Sequence, residues 1–74
     1  MSELKVIFYE EVMDKLKERI SALYPEENLS IIDVKDNEDK DFVTFTVRYS
    51  SPYWLVKLGE EIQYVRTYFK ILKL

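Results

Sequence analysis

The sequence contains no cysteine and no histidine. Disulfides are therefore excluded, and so are zinc, copper and iron sites that depend on thiolate or imidazole ligands. Nucleophilic catalysis by cysteine or by a serine–histidine pair is excluded for the same reason. A single glycine cannot supply a glycine-rich phosphate loop. We therefore expect a protein that binds rather than catalyses, without a cofactor or a metal.

Proline is also rare, with two residues in a chain of 74, and this scarcity argues against linkers and disorder. The length fits a single domain over residues 1–74. No apolar run approaches the roughly 18 residues of a membrane span. Residues 1–5 show no basic segment followed by an apolar run, so no secretory signal is expected. We accordingly expect a cytoplasmic protein without membrane contact.

Hydrophobic residues are abundant, at 47% of the chain, and aromatic residues make up 15%. A domain this small buries only about 60% of the surface of its unfolded chain. Such domains usually need a disulfide, a metal or a partner subunit for stability, and only the partner subunit is compatible with this composition. The surplus of apolar surface therefore predicts self-association, most simply as a homodimer.

Charge is distributed unevenly around a net value of −3. Residues 1–47 carry twelve acidic and six basic side chains, whereas residues 48–74 carry two acidic and five basic ones. A net-acidic chain without a basic run is poorly suited to neutralising nucleic-acid phosphates. We therefore expect no binding to long nucleic acid.

An amphipathic helix is predicted over residues 9–24, and it ends before Pro25 because a proline pushes the preceding residue out of the helical region. Its apolar stripe is Tyr9, Met13, Leu16, Ile20 and Leu23. Residues 3–8 are ambiguous. Val6 extends the helical stripe, but Leu4, Val6 and Phe8 would share one face of a strand. No turn residue intervenes, which favours one helix from about residue 3 and leaves the strand as the alternative.

Two strands follow, at residues 29–35 and 42–49, joined by a polar turn at 36–40. A second helix opens at Ser51, a favoured N-cap, and Pro52, a favoured first helical residue. Its stripe is Leu55, Leu58, Ile62, Val65, Phe69 and Leu72. A strand at 53–58 followed by a turn at Gly59 is the alternative for this segment. The predicted fold is α+β in the order α-β-β-α, two amphipathic helices packed on a β-hairpin, with β-α-β-β-α as the alternative.

The polar turn is the first candidate site. Seven acidic side chains lie within residues 26–41, against Lys35 and Lys40. A calcium loop of the EF-hand type is not indicated, because the glycine required at its sixth position is missing. An acidic patch can instead steer a protein onto a basic partner. The predicted protein-interaction residues are Asp36, Glu38, Asp39 and Asp41.

The start of the second helix is the next candidate. A helix N-terminus offers unpaired backbone N–H groups to an anion, and serine hydroxyls, an arginine and aromatic rings are nearby. The residues concerned are Arg48, Ser50, Ser51, Tyr53 and Trp54. They predict a site for a small phosphorylated ligand such as a nucleotide.

Tyrosines widen the apolar arc of the second helix beyond what an internal core requires. Tyrosine is favoured at protein interfaces, so Tyr64, Tyr68 and Ile71 are predicted to form the oligomer interface.

Three functional hypotheses follow from these patterns. The leading one is a non-catalytic homo-oligomeric binding protein acting through protein–protein interaction with a partner of unknown identity, such as a small regulator or inhibitor of host machinery. A sponge or sensor for a small phosphorylated ligand is the second. A purely structural, self-assembling subunit is the third.

Overall fold

A computed structural model describes residues 2–69 of the chain. Three strands form one antiparallel sheet in the order β1-β3-β2, and two helices accompany it. The α+β class predicted from the sequence is confirmed. The elements are β1 (Ser2–Tyr9), a 3-10 turn (Glu10–Val12), α1 (Met13–Leu23), β2 (Leu29–Asp36), β3 (Phe42–Tyr49) and α2 (Pro52–Tyr68).

The N-terminal segment is a strand, so the prediction of one helix from about residue 3 is wrong. The four elements from α1 onward keep the predicted α-β-β-α order, and β1 precedes them as in the β-α-β-β-α alternative. Val6 lies opposite Phe45, and Phe8 lies opposite Val43. Pairing with β1 provides hydrogen-bond partners for the backbone groups on the second side of β3, and it buries Phe8. No turn residue separates residues 3–8 from the helix in the sequence, and the 3-10 turn Glu10–Val12 makes this connection instead.

Helix α1 is shorter than the predicted 9–24, because Tyr9 belongs to β1 and residues 10–12 form the 3-10 turn. Leu23, the last residue of the predicted apolar stripe, is 51% exposed. Tyr24 has an extended backbone immediately before Pro25, where α1 ends. Helix α2 is continuous from Pro52 to Tyr68, so the alternative strand at 53–58 does not form. Gly59 lies inside this helix.

The helices pack on one face of the sheet. Alternate strand residues, together with the stripes of α1 and α2, form a single core. Its buried members are Phe8, Val12, Met13, Leu16, Ile20, Leu29, Val43, Phe45, Val47, Leu58 and Val65. The strand residues between them face the other way, and no helix within residues 2–69 covers that open face. In the same part of the chain, no helix is long and apolar enough to cross a membrane.

Candidate protein-interaction surface

Acidic side chains gather at the end of the sheet where β2 turns into β3. The Glu10 N–H donates to the Asp41 carbonyl at 3.0 Å, which brings the start of the 3-10 turn beside the hairpin. Two further carboxylates, Glu10 and Glu11, thereby join the four predicted from the turn. We call this group the acidic end, and all its members are exposed: Glu10, Glu11, Asp36, Glu38, Asp39 and Asp41.

The backbone of the acidic end is held by local hydrogen bonds. A carboxylate oxygen of Asp39 accepts the Asp41 N–H at 3.0 Å, and the Asp39 carbonyl accepts the Phe42 N–H at 3.1 Å. The Thr44 hydroxyl donates to the Asn37 side chain at 2.8 Å. Asp39 therefore shapes the turn as an Asx-type residue, whereas no such bond involves the side chains of Asp36 and Glu38 among the contacts of residues 2–69.

An apolar patch adjoins the acidic end on the open face of the sheet. The rings of Tyr9 and Phe42 lie side by side, with centroids 5.3 Å apart. Ile7, two residues along β1 on the same face, is 65% exposed. Tyr9 lies at the end of β1, is half-buried, and also packs against the core and near Arg66 of α2. We call Ile7, Tyr9 and Phe42 the open-face patch. The sequence pattern did not reveal this patch, because the predicted helix over residues 9–24 contains Tyr9 and the strand alternative ends at residue 8, whereas β1 extends to Tyr9.

The proposed ligand segment at the start of α2 is divided between the two sides of the sheet. Arg48 lies on the open face, where its guanidinium pairs with the Glu3 carboxylate at 3.0 Å. Trp54 lies on the helix side and packs edge-on against Tyr24 and Tyr53, with centroids 6.0 and 5.0 Å away. The structure therefore does not bring Arg48 together with the aromatic rings, and nucleotide binding stays a prediction.

Ser51 occupies the N-cap position of α2, as the sequence predicted. Its side chain makes no capping hydrogen bond within the described residues, so only the position of the cap is confirmed. The Ser51 carbonyl accepts the Trp54 N–H at 3.0 Å. Neighbouring Ser50 is exposed, and its N–H donates to the Asn28 carbonyl at 3.1 Å. These contacts serve the local backbone.

The predicted oligomer interface is partly engaged inside the chain. Tyr64 lies 4.6 Å from Tyr68, centroid to centroid, and the Arg19 guanidinium stacks over the Tyr64 ring at 3.6 Å. Tyr68 is 69% exposed. Ile71 lies outside the described residues.

A charged cluster joins the two helices on the side facing α1. Glu61 is only 7% exposed. One carboxylate oxygen accepts the Arg19 Nε–H at 2.6 Å, and the other accepts the Tyr24 hydroxyl at 2.9 Å. Burial, then this hydrogen bond, then the negative charges of Glu61 and Glu60 raise the pKa of Tyr24 to about 12. Every polar atom of the buried carboxylate thus has a partner, and the cluster fixes the helix pair rather than offering a reactive group.

A groove of about 620 Å³ runs between α1 and the outer side of β2. Ile20 and Tyr24 line its helix side, and residues 29–32 line its strand side. Within residues 2–69, no group of acidic side chains is arranged to hold a metal ion. The lining also includes the polar and charged side chains of Lys17, Glu18, Ser21, Glu26 and Ser30.

Comparison with known proteins gave no match, whether to a family model, to a curated protein or to a solved structure.

Proposed function

We propose that this chain is a non-catalytic, homo-oligomeric cytoplasmic protein that binds a basic protein partner and regulates or inhibits it by covering its surface. The observation that supports the proposal best is the acidic end lying directly beside the open-face patch. A charged rim next to an aromatic and aliphatic centre is the composition typical of protein interfaces.

The two parts of this surface have different physical roles. The carboxylates of the acidic end attract a basic surface and accelerate encounter, an effect that weakens as salt concentration rises. The open-face patch supplies apolar area that leaves water on binding. Self-association belongs to the proposal because large apolar side chains elsewhere on the described surface are exposed, including Leu4 and Tyr68.

The charge contribution is tested by reversing the acidic residues that do not shape the turn. The partner is first captured from lysate with the wild-type chain and identified by mass spectrometry. The double variant Asp36→Lys with Glu38→Lys should then bind the purified partner at least about tenfold more weakly, because each reversal replaces attraction by repulsion. The matched control reverses Glu26 and Glu27, two exposed acidic residues at the opposite end of the sheet, and should retain binding.

The apolar contribution is tested in the same assay. Ile7→Ser removes a 65% exposed side chain from the open-face patch, and Val56→Ser removes a 61% exposed side chain from α2 as its control. We expect Ile7→Ser to weaken capture and Val56→Ser to leave it unchanged. Unchanged capture by both the Asp36/Glu38 reversal and Ile7→Ser would refute this surface as the binding site.

A further inference from the structure

The two outer edges of the sheet differ in how regular they are. Within residues 2–69, nothing pairs with the outer side of β1 or of β2. Strand β2 carries an irregularity between Ile31 and Asp33, where Ile32 is an extra residue. Such a bulge is a common protection of an edge against pairing with another chain. Strand β1 has eight residues in unbroken register with β3 and contains no proline. Its edge therefore has neither a bulge nor a proline, and the charged side chains that it carries are Glu3 and Lys5.

One backbone hydrogen bond identifies which groups of β1 point outward. The Glu10 N–H reaches the Asp41 carbonyl of the β3 side. Because bonded residues alternate along an antiparallel strand, the even-numbered residues of β1 direct their backbone groups toward β3. The N–H and C=O groups of Glu3, Lys5, Ile7 and Tyr9 therefore face the free edge.

The side chains of β1 suit pairing with an identical strand. Leu4 belongs to the helix-covered face but is 43% exposed, because it lies at the rim. In a two-fold antiparallel pair with Leu4 on the axis, the two Leu4 side chains meet where strands come closest. Glu3 of each copy then lies opposite Lys5 of the other, so opposite charges are paired twice. Shifting one strand by two residues would place the two Lys5 side chains opposite each other, and repulsion between these like charges disfavours that register.

Helix α2 is also open on the side that would face a second copy. Arg66 reaches the Tyr9 ring of β1, 5.9 Å from its centroid. Gly59 precedes Arg66 by seven residues and so lies on the same side of the helix. Apart from its chain neighbours and the nearby backbone of its own helix, a Cβ at Gly59 would meet no atom of the described residues within 4 Å. No neighbour within the described residues requires a glycine at this position of the helix. The missing side chain leaves room for the close approach of a second helix.

We propose that two copies of this chain pair through β1, forming a continuous six-stranded antiparallel sheet with all four helices on one face. The proposal rests on the self-association contained in the proposed function and assigns it to an edge rather than to the tyrosines of α2. In this arrangement the open-face patches of both copies lie on one shared surface, while both acidic ends remain accessible.

The test compares matched substitutions at the two edges by sedimentation equilibrium over a micromolar concentration range. Leu4→Glu places two carboxylates across the axis and should raise the dimer dissociation constant at least about tenfold. Ile32→Glu is the control, because Ile32 is an equally exposed residue of the other edge strand, at 41% against 43%, and should leave the constant unchanged. Far-UV circular dichroism checks that both variants fold.

A backbone variant keeps the test decisive if Leu4→Glu fails to fold. Lys5→Pro removes an outward N–H without removing a bond to β3, as proline at a sheet edge permits. It should dissociate the dimer, whereas Lys5→Thr, which loses the same charge but keeps the N–H, should weaken it less.

The outcomes separate this inference from the proposed function. A monomeric wild type would overturn both the edge pairing and the self-association. A dimer that withstands Leu4→Glu and Lys5→Pro would overturn the edge pairing alone, and its dissociation by Tyr68→Glu would transfer the interface to α2. Capture of the basic partner depends on Asp36 and Glu38 and is measured independently.

Discussion

In the charged cluster between the two helices, removing Arg19 should destabilise the fold far more than removing Glu61. Arg19→Leu leaves one oxygen of Glu61 without its donor, in a site where the Glu61 side chain is 10% exposed. Stranding a fully buried charge costs about 3–5 kcal/mol. Tyr24 still donates to the other oxygen of Glu61. The Arg19 side chain is 30% exposed in the wild type, so in Arg19→Leu water can approach the oxygen that has lost its donor. We therefore expect Arg19→Leu to lower the free energy of unfolding by about 2–3 kcal/mol.

Glu61→Leu should be far less damaging. It replaces a buried carboxylate with an apolar side chain on the core-facing stripe of α2, so no charge stays buried at this position. Arg19 is then unpaired, but it is partly exposed and keeps its stacking on Tyr64. We expect a loss of about 1 kcal/mol or less, much of it from the Tyr24 hydroxyl that loses its acceptor.

Urea unfolding of the wild type, both single variants and the double variant measures this coupling directly. Because the double variant leaves no charge to strand, it should resemble Glu61→Leu, so the coupling energy equals the loss expected for Arg19→Leu, about 2–3 kcal/mol. Additive losses, or a larger loss from Glu61→Leu than from Arg19→Leu, would refute the reasoning. Tyr64→Leu in the same series reports how much of the Arg19 contribution comes from stacking rather than from the ion pair.

Two further outcomes follow from the same helices. The raised pKa of Tyr24, from 10.0 to about 12, means that the unfolded chain loses this proton first, so folding stability is lost as pH rises from about 10 through 12. Urea unfolding across that range should show a smaller alkaline loss for Tyr24→Phe than for the wild type, and equal losses would contradict the assigned shift. Gly59→Ala should raise monomer stability by about 1 kcal/mol, because alanine favours the helix and the space at this position is open; a thermal scan at dilute concentration would show the rise, and a destabilised variant would mean that the space is occupied.

Local patterns in the sequence were sufficient for α1, β2, β3 and α2. The stripe through Leu16 and Ile20 identified α1, Pro25 marked its end, and the alternation in β3 identified its buried face. Each of these signals depends on residues within a few positions of one another. The acidic turn was also visible, because its residues are adjacent in the chain.

Only the tertiary structure decided the state of residues 2–9. Their apolar spacing is compatible with both a helix and a strand, and the choice is made by β3, whose pairing residues are about 40 positions away. The same long-range pairing placed Glu10 and Tyr9 beside the hairpin, completing the acidic end and the open-face patch. Arg48 and Trp54 are separated because alternation along β3 puts Arg48 on the open face, whereas α2 and its Trp54 pack on the core side of the sheet. The composition established what chemistry the chain lacks, whereas strand order decided which side chains share a surface, because pairing between distant segments leaves no local periodicity.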